Sequence, residues 1–198
     1  MAPFNHFDLL APYYDRFITP ADPSWISTLA GLPATGLLLD LGGGTGQKSH
    51  PLREMVSEIV IADSSKGMLF QAKKKSGLTA LRSESERLPF SDGSFERVIM
   101  VDALHHVADY KVTTDEMWRV TKPGGRIVIE EPDIRTMPAK IMAIIERIAL
   151  MRSHFITPQG IAARFNYSSA KVNIELDGST AWIVIDKLFE RSNPLDKE

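Results

Sequence analysis

Short apolar runs alternate along the chain with stretches of helical spacing. The runs at Leu37–Leu41 (LLLDL), Glu58–Asp63 (EIVIAD), 96–102 (ERVIMVD) and 125–131 (GRIVIEE) are short, continuous and rich in β-branched residues. A strand covered on both faces has no side to leave polar, so these runs predict strands buried between two layers of helices. Between them, residues 50–56, 65–76 and 110–120 have apolar positions at helical spacing. Strand and helix in alternation predict right-handed crossovers and a parallel sheet with helices on both faces. The segment TKPGG at 121–125 predicts a turn, because Pro and Gly end the preceding helix. Farther on, KVNIELDGSTAWIVIDK at 171–187 alternates apolar and polar residues around Asp177-Gly178, a hairpin signal. An antiparallel pair is therefore expected to finish the sheet. Residues 138–152 and 159–165 predict two further helices, and with no internal repeat or low-complexity linker one domain is expected.

Composition narrows the chemistry. A length of 198 residues suits a single domain, and a formal charge of −2 gives no electrostatic footprint for nucleic acid or an anionic membrane. The one run of like charge, Lys73 to Lys75, is read as a solvated helix end. The absence of cysteine excludes disulfides, thiolate metal sites and cysteine nucleophiles. The opening MAPFNHFDLL lacks the pattern of a signal peptide and no apolar run approaches ~20 residues, so a cytoplasmic protein without stable membrane association is expected.

The run at Leu37–Leu41 leads straight into GGGTG at 42–46. Glycines at the carboxyl edge of a parallel sheet let the backbone turn with positive φ and let a ligand approach without a Cβ in the way. Amides at the start of the expected following helix favour an anionic group. The spacing is G-x-G-x-G, through Gly42, Gly44 and Gly46. A dinucleotide fingerprint needs glycine where Gln47 stands, and no Gly-Lys-Ser/Thr follows a phosphate-loop gap, which disfavours a pyrophosphate site. Asp63 ends the second run, a position from which a carboxylate accepts hydrogen bonds from both ribose hydroxyls. A nucleotide-like ligand is the leading reading.

The successive segments LDLGGGTG, IADSSKGML, LRSESERLPFSDGSFERVIMVDALHHV and RVTKPGGRIVIEEP resemble the motifs of class I S-adenosylmethionine-dependent methyltransferases, particularly the ubiquinone and menaquinone biosynthesis C-methyltransferases. The likeness runs from about Asp8 to Pro132. It implies a Rossmann-like α/β fold with a seven-stranded, mostly parallel sheet and an antiparallel C-terminal hairpin. It divides the domain into an N-terminal lid and helix (1–35), a cofactor-binding core (36–135) and a helical cap with hairpin (136–198). It implies S-adenosylmethionine as cofactor, with S-adenosylhomocysteine as product. Asp40, Gly42, Gly43, Gly44 and Gly46 are then expected to face the methionine part, Asp63 the ribose, and Ser64 and Met68 the adenine. Where the family has Gly-Asp before its Ala-Glu, this chain has Ser83-Glu84, so Glu84 and Ser85 are expected to reach the adenine amino group with a longer arm. Asp102 is expected beneath the methionine, close to substrate. FDLLAPYYDRF resembles the family's lid, in which a tyrosine at Tyr13 or Tyr14 approaches the cofactor. An aromatic face beside a sulfonium contributes about 0.5 to 2 kcal/mol, although both rings could equally pack the first helix.

Methyl transfer needs a base only when the nucleophile carries a proton. His105, His106 and Asp102 are the catalytic candidates, and adjacent side chains diverge, so at most one of the two histidines points inward. Glu130 and Glu131 end the next strand at the same edge. No metal is expected: the histidines lack ligand spacing, with His6 and His154 isolated. The expected acceptor is a small apolar or aromatic, quinone-like molecule selected by the lid and by 136–166, whose amphipathic helix is expected to pack on the sheet. Three alternatives stay open: a binding module without catalysis, a methyltransferase of RNA or protein, and, more distantly, a dehydrogenase.

Overall fold

A computed structural model describes residues 6–17, 23–148 and 153–190. Among the described residues three helices come first: α1 (His6–Leu10), α2 (Tyr14–Phe17) and α3 (Pro23–Ala30). Strand β1 (Leu37–Leu41) precedes the glycine loop, and β2 (Glu58–Asp63), α4 (Lys66–Ala72) and β3 (Leu78–Arg82) follow. Then come β4 (Phe95–Val101), α5 (Tyr110–Val120), β5 (Thr121–Pro132), α6 (Met137–Ile148), α7 (Pro158–Ala162), β6 (Ala170–Asp177) and β7 (Thr180–Lys187). The seven strands form one sheet in the order β3-β2-β1-β4-β5-β7-β6. The first five are mutually parallel, while β7 runs antiparallel to both β5 and β6.

The unbroken apolar runs are explained by what covers each side. Because successive residues of a strand point to opposite faces, Leu39, Val98, Met100, Ile127 and Ile129 join Met117 and Val120 of α5 in one core. Leu38, Ile59, Ile61, Ile99 and Val128 join Ile26 of α3 and Leu69 and Ala72 of α4 in the other. The alternating edge strand β3, only partly buried, is the seventh strand, which the apolar runs did not reveal.

Local differences from the sequence reading have physical causes. The helix expected at 159–165 is α7, Pro158–Ala162, which Thr157 caps by accepting from Gly160 N and which ends at Ala163. The expected helix at 50–56 is a 3-10 helix, His50–Met55, with Pro51 in its first turn and no side-chain cap. Residues 121–125 belong to β5: Thr121 pairs with Phe95 and Arg126 with Arg97, so the Pro-Gly-Gly turn is an irregularity inside the strand. Helix α4 is shorter than 65–76 because Ser65 caps its start, accepting from Met68 N, and Lys73 its end. Helix α6 buries Ala139 but turns Met137, Ile141, Ile144 and Ile145 outward, so it does not lay its apolar face on the sheet. Residues 149–152, at the end of that expected helix, lie outside the described residues. Among the described residues no helix is long and apolar enough to cross a membrane.

Candidate active site

The carboxyl ends of β1, β2 and β4 and the lid helices enclose a cavity of about 1070 Å³, counting its open mouth. Its lining includes Tyr14, Asp40, Gly42, Gly43, Gly44, Asp63, Ser64, Met68, Glu84, Ser85, Asp102 and His106. Twelve of the fourteen expected site residues therefore meet in one place. Gly46 and His105 do not. A Cβ on Gly46 (φ +71°) would come within 2.5 Å of Leu78 Cδ1, so this glycine lets the loop pack closely on β3. His105 is buried behind the cavity wall, its Nδ1 2.6 Å from Glu131 Oε2 and its ring stacked on Phe155. Glu131 Oε1 accepts from Ala103 N (3.1 Å) and Leu104 N (2.7 Å), so the buried pair pins the turn that presents His106.

The glycine loop and Asp63 are built as one unit. Gly42, Gly44 and Gly46 all have positive φ, a region that costs a side chain dearly. Gly44 N donates to Asp63 Oδ2 (2.9 Å) and Ser65 N to Asp63 Oδ1 (2.7 Å). The loop amide thus turns toward the carboxylate that ends β2. The helix that follows the loop is a 3-10 helix, not the expected α-helix. Burial raises the Asp63 carboxyl, against these two amides.

Asp40 is fully enclosed, and burial pushes its carboxyl up to about 6. Its Oδ2 has no hydrogen-bond partner, while a Cβ on Gly43 would lie 2.4 Å from that atom. A buried acceptor without a donor is costly unless a ligand supplies one. Asp102 holds φ +54°, the single non-glycine residue with positive φ among those described, and faces the cavity at the end of β4. Such strain is kept where surrounding structure enforces it, commonly at functional sites. Burial first, then the neighbouring His105, lower His106 to about 4, so its ring is neutral at pH 7. His106 Nδ1 lies 3.3 Å from Ser153 Oγ, and its ring meets Phe7 edge-on at 5.1 Å. Burial and the Asp102 charge raise the Tyr14 hydroxyl to about 12, so it stays protonated. Tyr13 is 60% exposed, which leaves Tyr14 as the lid tyrosine at the cavity.

Lys48, Glu86 and Phe7 also line the cavity and were not expected from the sequence. Lys48 is the one lysine or arginine among the described lining residues, opposite five acids, and its Nζ is 3.8 Å from Glu130 Oε2. Glu86 accepts from Ala108 N (2.7 Å) and Asp109 N (3.2 Å) and so closes the wall above α5. Single charged residues in loops carry no periodic signal, and only the fold shows which way they face. Among the described residues no group of His, Asp and Glu has the arrangement of a metal site.

Residues 39–129 match the family model described as a methyltransferase domain. Residues 39–129 form a methyltransferase domain. The chain is 36% identical over 136 residues to demethylmenaquinone methyltransferase of Clavibacter sepedonicus, covering 63% of this chain and 56% of the relative. It is 33% identical over 146 residues to that of Corynebacterium glutamicum, covering 73% and 60% respectively. The chain spans about half the length of the curated relatives it matches. A solved complex of the Haloferax volcanii Trm112 methyltransferase activator with a methyltransferase has the same fold (TM-score 0.77, 18% identity, 95% of this chain and 100% of that one). So does an S-adenosylmethionine-dependent methyltransferase of Thermotoga maritima (TM-score 0.74, 20% identity, 91% and 97%).

S-adenosylmethionine is the cofactor of this domain class, and the residues present fit it. The cofactor is a net cation with an ammonium, a sulfonium and one carboxylate. The cavity offers an acid-rich wall, an unpartnered buried carboxylate oxygen on Asp40, and one lysine among its described lining residues.

Proposed function

We propose that the chain transfers a methyl group from S-adenosylmethionine to a small apolar or aromatic acceptor of the quinone type, in the cytoplasm. The observation that carries the reading is that one cavity is lined both by the glycine loop with its carboxylates and by Phe7, Met100, Val107 and Ala108 beside His106. The names of the curated relatives support the quinone class. The near-neutral charge favours no nucleic acid acceptor.

In this reading Asp63 holds the ribose hydroxyls, Glu84 and Ser85 the adenine, Asp40 the ammonium and Lys48 the carboxylate. When bound, the cofactor supplies an electrophilic methyl group on a positive sulfur. The protein's part is placement, which lowers a bimolecular barrier by roughly 7 to 11 kcal/mol when the reacting atoms are held at contact distance. Tyr14 keeps its proton and presents an aromatic ring to the positive charge. The neutral His106 ring accepts a hydrogen bond from a hydroxyl on the acceptor and takes its proton as charge leaves that oxygen. His105 and Glu131 hold the turn beneath it.

The test is a transfer assay with methyl-labelled S-adenosylmethionine and a panel of naphthoquinols, phenols, RNA and protein. Label in a quinol or phenol, dependent on His106, supports the reading. Cofactor binding with no label in any acceptor supports a binding module instead, and label in RNA or protein changes the acceptor class.

A further inference from the structure

The lid is fastened to the core at two points, and each fastening residue is the chain neighbour of an aromatic residue that lines the cavity. Asp8 follows Phe7, and its Oδ1 accepts from Ser65 Oγ (2.6 Å) and Gly67 N (2.8 Å). Asp15 follows Tyr14; its carboxylate takes the Thr45 hydroxyl on one oxygen and Lys75 Nζ (2.6 Å) on the other. Lys75 Nζ also donates to Thr45 O (2.8 Å), and Gln47 Nε2 donates to Asp15 O (3.3 Å). Lys75, the last residue of the charge run after α4, is thus a partly buried bridge between lid and glycine loop, not a solvated helix end.

Both core attachment points belong to the elements that surround the ligand space. Thr45 lies between Gly44 and Gly46 in the glycine loop and itself lines the cavity. Ser65 holds Asp63 through its amide and caps α4 by accepting from the amide of Met68, another lining residue. We propose that Asp15 and Lys75 are positioning residues: their ion pair clasps the lid over the glycine loop, and its opening sets how fast the cofactor or its product leaves. This rests on the cofactor reading above. Neither Asp15 nor Lys75 lines the cavity; the clasp acts through Tyr14 and Thr45, which do.

Release of labelled S-adenosylhomocysteine, chased with excess unlabelled ligand, tests this in the whole protein, with Asp15→Ala, Lys75→Met, the double variant and Lys75→Arg. An ion pair of this partial exposure is expected to change the release rate about fivefold in either single variant. The double variant is expected to release no faster than the faster single one, because both remove the same contact. Lys75→Arg restores slow release, and added salt speeds release from the wild-type protein but not from Lys75→Met. Single variants that release at the wild-type rate, or a double variant whose effect is the product of the two, overturn the clasp. Should a variant fold poorly, the salt dependence of the wild-type protein decides alone: release unaffected by salt contradicts the proposal. A wild-type protein that binds neither S-adenosylmethionine nor S-adenosylhomocysteine contradicts the cofactor reading itself, a different result from equal release rates.

Discussion

Asp40 gives the site a pH dependence close to neutrality. Its carboxyl is raised to about 6 because the folded chain buries it, whereas the unfolded chain leaves it near 3.8. The folded state therefore holds the proton more tightly, and this group's contribution to stability falls as pH rises from 3.8 through 6. A cofactor ammonium needs the ionised form, so cofactor affinity is expected to rise with pH through about 6 and then level. Calorimetric titration across that range should show the rise in the wild-type protein and a weaker, flat profile in Asp40→Asn. The two histidines should separate in the opposite sense from their adjacency. His106→Ala is expected to lower kcat at least ~10-fold with little change in melting. His105→Ala leaves the buried Glu131 short of a partner and should cost about 1 to 3 kcal/mol of stability, read by denaturant unfolding. The chain order made both histidines candidates. Which one faces the cavity is decided by Glu131, twenty-six residues away, a contact that local pattern does not carry.

At the level of elements, the lid depends on one close approach. A Cβ on Gly67 would lie 2.9 Å from both Cα and O of Asp8, so the lid backbone rests where any other residue would push it off. Within a helix, Gly→Ala ordinarily gains up to about 1 kcal/mol. Gly67→Ala is nevertheless expected to lower the melting temperature, because the atoms its Cβ would meet are backbone and the shift breaks the Asp8 bonds to Gly67 N and Ser65, and to weaken cofactor binding. Paired thermal unfolding and titration check both effects. The Asp8 carboxyl is lowered by its bonds to Ser65 and Gly67, so its hold on the lid is present at neutral pH and fades as pH falls below about 3.8. The buried strands and the hairpin were legible because each has a period or an unbroken apolar run set by what covers it. Strand β3 was not, since an edge strand with half-exposed faces has a weak pattern. The 3-10 helix after the glycine loop was also hidden, because apolar positions at helical spacing do not distinguish it from an α-helix, although Pro51 stands in its first turn and no side chain caps it.

For the whole molecule, the sheet order explains why dispersed motifs meet. Strands β1, β2 and β4 are neighbours in the sheet although well apart in the chain, so the residues at their carboxyl ends converge on one cavity. Most of the candidate site was therefore readable as motifs at strand ends, whereas the lid contacts and Lys48 needed the fold. The measurement that bears most directly on the central claim is calorimetric titration with S-adenosylmethionine and S-adenosylhomocysteine, with NAD for comparison and Asp63→Ala as control. Micromolar binding of both sulfur ligands, lost in Asp63→Ala and not shown by NAD, is the predicted result. Binding of NAD in their place, or sulfur-ligand binding indifferent to Asp63, would contradict it.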